Sequence, residues 1–330
     1  MAKCMTDTIN LTSVADAIRT KGGTSAQLIY PSGFVSAIQA IQTGITPKLV
    51  VTTTPGAAIT ATPAEGFKVV KGTAGADGMC TLELPKAGTW HVTAMANSVS
   101  NSQNIVIGTQ NMLLPLYHDT FANNTWEEII TVCRTGIAPD SWAVGDSKTM
   151  NIGGTAYQVD IIGKNHDEYA DGSGTAPLTF QLHDCYSEAK QMYSTNLSGL
   201  GWKNTDMRLT YLPAILALMP AEVKNGIRAV NKKTSEGGNS TTIEIVSDTL
   251  FLLSEVEIFG TASSSVAGEG SQYDYYKAGN PKIKKREGVD EFWWERSSAS
   301  GGMFCRVRAN GQAGASNASS SLGVSFAFCF

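Results

Sequence analysis

Apolar residues follow three different rhythms along the chain. Leu11, Val14, Ala15 and Ile18 recur at helical spacing and stop at Gly22-Gly23. After Ser32, a second stripe of Phe34, Val35, Ile38 and Ile41 ends at Gly44. Residues 1–45 are therefore expected to form two short helices. Helices this short are marginal alone in water, so their stripes need a partner: the body of the same chain, a second copy, or another component of an assembly. We expect this segment to serve assembly or attachment. Over 46–110 the period shortens. "KLVVTTTP", "FKVVKG", "CTLELP", "TWHVTAMA" and "NIVIGT" are β-branched runs split by Pro and Gly, with a turn about every ten residues, which predicts a small β-sandwich.

From residue 111 the chain reads as one large unit. "TWEEIITVCRTG" opens on Thr125 with Glu128 three residues later, a capping box, and Gly136 is placed to end the helix. "WAVGDSKTMNIGGTAYQVDIIG" predicts a hairpin turning at Gly153-Gly154. "SEAKQMYSTNL" predicts a helix, "MRLTYLPAILALMPAEVKNGI" more helix with starts set by Pro213 and Pro220, and "STTIEIVSDTLFLLSEVEIFG" two strands. Phe304–Asn310 and Gly323–Phe330 predict two strands flanking a bland run of Gly, Ala, Ser and Asn. The fold class is α+β, a few helices against antiparallel strands.

A hydrophobic fraction of 42% is ample for a packed core, while charged residues make up only 16%, well below the roughly one quarter usual in globular proteins. The net charge of −4 gives no field for nucleic acid. The one basic run, "KIKKRE" at Lys282–Glu287, lacks a stacking platform and is read as a solvated loop. No apolar stretch approaches the ~20 residues of a membrane span, so no membrane insertion is expected. "MAKCMTDTIN" has no apolar segment of a secretory signal. Cys4, Cys80, Cys133, Cys185, Cys305 and Cys329 show no C-x-x-C spacing, which argues for reduced thiols in a cytoplasm and against a disulfide framework or zinc site. A protein of this kind that works outside the cell would leave by lysis.

Three groups invite a chemical reading. Asp167, Glu168 and Asp171 in "HDEYADGSG" put oxygen ligands in a Gly-rich loop, but the spacing is not that of an EF-hand, and Asx turns explain it as well. His183 and Asp184 in "LHDC" suit acid–base work or a structural hydrogen bond. Cys305 and Cys329 are read as small buried hydrophobes, with a disulfide the lesser alternative.

"NTWEEIITVCRTG", "WAVGDSKTMNIGGTAYQVDIIG", "DGSGTAPLTFQL", "DMRLTYLPAILALMPAEVKNGI", "TLFLLSEVEIFG" and the "FWWERSS" to "GVSFAFCF" tail occur in one order. In this, residues 111–330 resemble the C-type-lectin-like, formylglycine-generating-enzyme-like domains of phage and prophage tail proteins, some of which are the variable proteins of diversity-generating retroelements. "GADGMCTLELPKAGTWHVTAMA" resembles the late strands of Ig-like modules, which makes 46–110 a spacer. "LTSVADAIRTKGGTSAQLIYPSGFVSAIQAI" resembles a segment of tail-associated proteins. The resemblance implies a non-enzymatic adhesin on the virion tail, made in the host cytoplasm. Its partners would be a bacterial surface receptor, protein or glycan, and other tail proteins, and it would form a homo-oligomer, with a trimer expected from tail-fibre geometry. The closely spaced Cys pair of the superfamily's oxidases has no counterpart, nor do the Glu-Pro-Asn and Trp-Asn-Asp calcium motifs of animal lectins. No catalytic residue, metal or cofactor is therefore expected. The competing readings are a copper-dependent oxidase using Cys305 or Cys329 and a purely structural tail protein.

Alternation in "GVSFAFCF" assigns Val324, Phe326, Phe328 and Phe330 to the core and turns Ser325, Ala327 and Cys329 the other way. In "FCRVRAN", Cys305 and Val307 face inward and Arg306, Arg308 and Asn310 outward. The expected ligand-binding patch is Ser298, Ser300, Met303, Arg306, Arg308, Asn310, Gln312, Ser316, Asn317, Ser320 and Ser325, displayed by a loop on a rigid scaffold. In the family resembled, such outward positions are the ones a retroelement diversifies. An inert Ser/Gly loop is the alternative.

Overall fold

The computed structural model describes residues 8–22, 25, 27–28, 47–64, 66–107, 110–238 and 240–330. The chain divides into two compact units, Met1–Tyr117 and His118–Phe330. The first expected helix is Thr8–Gly22, with Ala15 and Ile18 buried but Val14 exposed. The second expected helix lies outside the described residues.

Among the described residues, seven strands follow in the first unit: β1 Lys48–Thr52, β2 Ala58–Pro63, β3 Val70–Thr73, β4 Met79–Glu83, β5 Gly88–Ala96, β6 Val99–Ile107 and β7 Gln110–Leu113. They form two sheets, ordered β4-β1-β7 and β3-β2-β5-β6. Leu49, Val51 and Leu82 of one sheet and Ile59, Trp90 and Val92 of the other share one buried cluster. Asn97 and Ser98, both left-handed at φ 49° and 66°, turn β5 into β6. Strand β2 carries little apolar signal because it is mostly Ala and Thr, yet it sits between β3 and β5. Strand β7 pairs in parallel with β1. The division into compact units falls after Tyr117, while the change of sequence pattern falls at residue 110.

In the second unit, β8 Ser147–Ile152, β9 Thr155–Lys164 and β10 Leu178–Leu182 form an antiparallel sheet with β18 Ala327–Cys329, in the order β18-β10-β9-β8. Gly153 and Gly154 turn β8 into β9 at φ 58° and 88°, as the glycine pair predicts. The helix Trp126–Cys133 starts at the predicted capping box, with Thr125 and Glu128 each bonding the other's backbone N–H. Phe180 stands at the centre of an aromatic core. Its ring lies 5.3 Å from Phe328, 5.4 Å from Phe330, 5.8 Å from Trp126 and 6.0 Å from Phe121. The hairpins β11 Val230–Ser235 with β12 Ile243–Asp248, and β13 Lys284–Arg286 with β14 Val289–Glu291, lead to a last sheet. It consists of β15 Trp293–Ser298, β16 Met303–Val307 and β17 Ala313–Asn317 in that order. The unit is mixed, mostly sheet with a few short helices. No helix among the described residues is long and apolar enough to cross a membrane.

Several local expectations are corrected. Residues 187–197 are not helical, because the backbone N–H groups of Lys190, Met192 and Tyr193 are taken by the carbonyls of Leu322 and Ala318. Glu255–Phe259 is a helix, not a strand, with a second capping box at Ser254 and Glu257 and a left-handed Gly260 cap. Lys282–Glu287 is not a solvated loop: it contains β13, and Lys284 is buried with its Nζ bonded to the carbonyls of Leu182 and His183. The bland C-terminal run contains strand β17, held to β16 by backbone pairing.

Candidate functional site

Strands β16 and β17 carry four of the eleven expected ligand-binding positions, Met303, Arg306, Ser316 and Asn317, and two of the others are corrected. Ser298 and Ser325 are buried, with Ser298 Oγ donating to Gly238 O and Ser325 Oγ to Leu182 O. The whole stretch Gly323–Phe330 is buried, so both faces of the C-terminal segment are covered. Ser300, Arg308, Asn310, Gln312 and Asn317 are exposed, and Met303, Arg306, Ser316 and Ser320 are half-buried. The pairing Met303↔Asn317, Phe304↔Ser316 and Arg306↔Gly314 then splits the set. Arg306, Gly314 and Ser316 share one face, while Met303 and Asn317 lie on the other, because strand side chains alternate.

The first face concentrates the chemistry. Arg306 stacks its guanidinium 4.3 Å from the centre of the half-exposed Phe292 ring, and its Nε donates to Ser316 Oγ at 2.5 Å. Arg308 Nε donates to Ala313 O. Both guanidiniums crowd Gly314: a Cβ there would lie 2.9 Å from Arg308 Nε and 3.5 Å from Arg306 Nη1. Glycine at this point of the strand makes room for two like charges on one face. Burial and the neighbouring Arg308 both lower the Arg306 pKa from its ordinary value. Two cations held together, with no carboxylate among the described residues bonded to either, form a surface suited to an anion. The turn beyond β16 is stiffened by Arg308 N–H to Gln312 O, Gly311 N–H to Arg308 O and Gln312 N–H to Asn310 Oδ1. A left-handed φ of 81° at Gly311 fits it.

Beneath this sheet lie acidic side chains that the sequence did not flag. Glu255 accepts hydrogen bonds from the backbone N–H groups of Ser263, Ser264 and Ser265 and from the hydroxyls of Ser263 and Ser265. Burial pushes its pKa up, but these donors outweigh burial and hold it below the usual value. Glu269 accepts from Ser235 N–H, Thr234 Oγ1 and Ser297 Oγ, and burial still raises it. Glu295 is fully buried with neither oxygen bonded. Only the non-alternating run "WWERSS", buried at every position, hints at this in the sequence.

The other chemical candidates resolve into structural pairs. Asp167 does not belong to an open oxygen-rich loop. It is buried, accepts from Thr179 Oγ1 and Tyr273 Oη, and meets Lys232 Nζ at 2.6 Å. Lys232 in turn meets Glu257 at 2.8 Å, and Arg296 grips Glu257 with both Nη atoms. Burial opposes ionisation of Asp167, yet Lys232 prevails and brings its pKa to about 2. Asp171 instead pairs with Arg228 at 2.6 Å, and Glu168 bridges to Thr175 through backbone. His183 bonds Asp160, not Asp184, which accepts from Lys285 N–H. Cys305 and Cys329 lie in different sheets, each against a carboxylate, Glu255 and Asp167 respectively. Burial and those neighbouring acids push both thiols up, away from the reactive thiolate. Among the described residues, no group of three or more His, Cys, Asp or Glu is placed to hold a metal ion.

Residues 179–330 match a family model described as Domain of unknown function (DUF6273). The match begins inside β10 and takes in the whole β15–β17 sheet and β18. No curated protein and no solved structure matches the chain.

Proposed function

We propose that the chain is a non-enzymatic receptor-binding protein of a phage tail fibre or tip. In this reading His118–Phe330 is a C-type-lectin-like domain, the sandwich before it an Ig-like spacer, and the N-terminal segment the attachment to other tail proteins. The fold and family assignment rest on the ordered motifs between residues 111 and 330. The observation that carries the ligand-binding role is the pair Arg306 and Arg308, brought together over Gly314 beside Phe292, with Arg306 on the central strand β16 and Arg308 just past its end. Among the described residues no carboxylate is bonded to either guanidinium, and the strand that carries Arg306 is held by backbone hydrogen bonds on both sides. The ligand is accordingly a bacterial surface group with anionic character, such as an acidic sugar, whose carboxylate the guanidiniums bind and whose ring the Phe292 face supports. The test is binding of the full chain to a panel of whole bacteria and acidic glycans. Arg306→Ala and Arg308→Ala should each lose binding by at least about tenfold, as expected when a charge-assisted hydrogen bond is removed, while thermal melting stays near that of the unaltered chain. Unchanged binding in the double variant would remove this face from the reading.

A further inference from the structure

Strand β15 is irregular beside the Arg306 site. Trp294 pairs with Arg306 and Ser298 with Phe304, so Glu295, Arg296 and Ser297 bulge against Cys305 alone. The charged and titratable groups around Glu295 come from several elements: Glu255 from the helix Glu255–Phe259, Glu269 from the loop that follows it, Tyr276 from the helix Asp274–Lys277, Arg296 on its own strand, and Cys305 and Arg306 across on β16. Glu255 and Glu269 have their oxygens taken by Ser and Thr donors, and the Arg296 Nη atoms are taken by Glu257 and backbone carbonyls. Three side chains here keep buried atoms without a hydrogen bond, both oxygens of Glu295, the Nε of Arg296 and the Nη1 of Arg306, and no bond joins them. Arg296 is already pinned through both Nη atoms, which leaves Arg306 as the cation that can turn toward Glu295. Each unmet buried group is costly, and a carboxylate far more so than a carboxylic acid.

We propose that Glu295 is a positioning residue for the Arg306–Arg308 site. As a neutral acid it leaves Arg306 stacked on Phe292 and bonded to Ser316. Once ionised it draws the guanidinium inward into an ion pair and dismantles the cation pair that faces the ligand. The proposal rests on the ligand-binding reading given above. Burial, followed by the like charges of Glu255 and Glu269, holds Glu295 well above the ordinary carboxylate range, so the neutral form is the resting one. By linkage, an anion bound at Arg306 favours the protonated acid, and binding at alkaline pH takes up a proton at Glu295.

The test uses the full chain carrying ¹⁵N-labelled arginine and ¹³C-labelled glutamate side chains, titrated from mildly acid to alkaline pH without ligand. The Arg306 Nε–H resonance and the Glu295 carboxyl resonance should move with one shared midpoint, and Glu295→Gln should leave the Arg306 resonance still. With glucuronate as the probe, the unaltered chain should bind about five- to tenfold more weakly above that midpoint. Glu295→Gln should bind at every pH as the unaltered chain does in acid. An Arg306 resonance that stays still while Glu295 titrates overturns the proposal, and that measurement needs no variant to fold. If the two resonances move together but no anion or bacterium binds, Glu295 still governs Arg306 and it is the ligand-binding reading that fails.

Discussion

Single side chains in the second unit are held by charge partners that can be broken one at a time. Lys232 stands between Asp167 and Glu257, all three buried. Lys232→Met would strand two carboxylates and is expected to destabilise the unit by about 3–5 kcal/mol, read as a lower denaturant midpoint. The same chain of charges sets an acid limit. Asp167 is brought down to about 2 from its ordinary value of 3.8, so its stabilisation is complete above the unfolded value and is lost as pH falls through the lower one. Acid titration followed by circular dichroism should show that loss, and Asp167→Asn should flatten it. His183 behaves in the opposite sense. Its hydrogen bond to Asp160 raises its pKa despite partial burial, so its contribution is present at acid pH and disappears as pH rises through the raised value. Asp160→Asn should shift the His183 imidazole titration downward, as seen by NMR. An unmoved titration would show that the 2.7 Å contact does not persist in solution.

At the scale of elements, glycine decides where backbones and side chains approach. Gly237 lies at φ 131° with its absent Cβ only 2.4 Å from Gly201 N and 2.5 Å from Gly199 O. Gly237→Ala is therefore expected to cost at least about 2 kcal/mol. Gly314→Ala meets two flexible arginine side chains and no backbone, so melting should change little while anion binding falls. Equal losses of stability in the two variants would contradict this distinction. What was legible in the sequence at this scale follows the same division between local and distant causes. The Thr125–Glu128 box and the Gly153-Gly154 turn were readable because their chemistry is complete within a few residues. Strand β17 was not, because Ala, Gly and Ser carry no strand preference and only its pairing with β16 makes it one. Residues 187–197 were misread as helix because the carbonyls that take their N–H groups lie at 318–322. At the candidate site, alternation located Arg306 and Arg308, but burial of Ser325 and Ser298 depends on segments far away in sequence, at Leu182 and Gly238.

On the scale of the whole molecule, each compact unit holds its own core, and the second contains the Phe180 stack, the buried ionic chain and the Arg306 face. A chain beginning at His118 is therefore expected to fold alone and to keep the anion binding of the full protein. A noncooperative melt from that fragment would refute the boundary. The arrangement of the Phe180 sheet also bears on how the unit is made. Gln181 bonds the carbonyl of Ser325, 144 residues away, and β18 closes the sheet only after its partners β8, β9 and β10 have long been synthesised. Contacts so distant in sequence make folding slow. While the polypeptide is emerging, the first unit has all its strands long before the second has its last one. Through that interval Phe180 lacks two of its aromatic neighbours, and the nascent second unit is open to proteases and to misassociation with its siblings on the same message. Stalling translation just before β18 should thus yield chains in which a protease removes the second unit and spares the first.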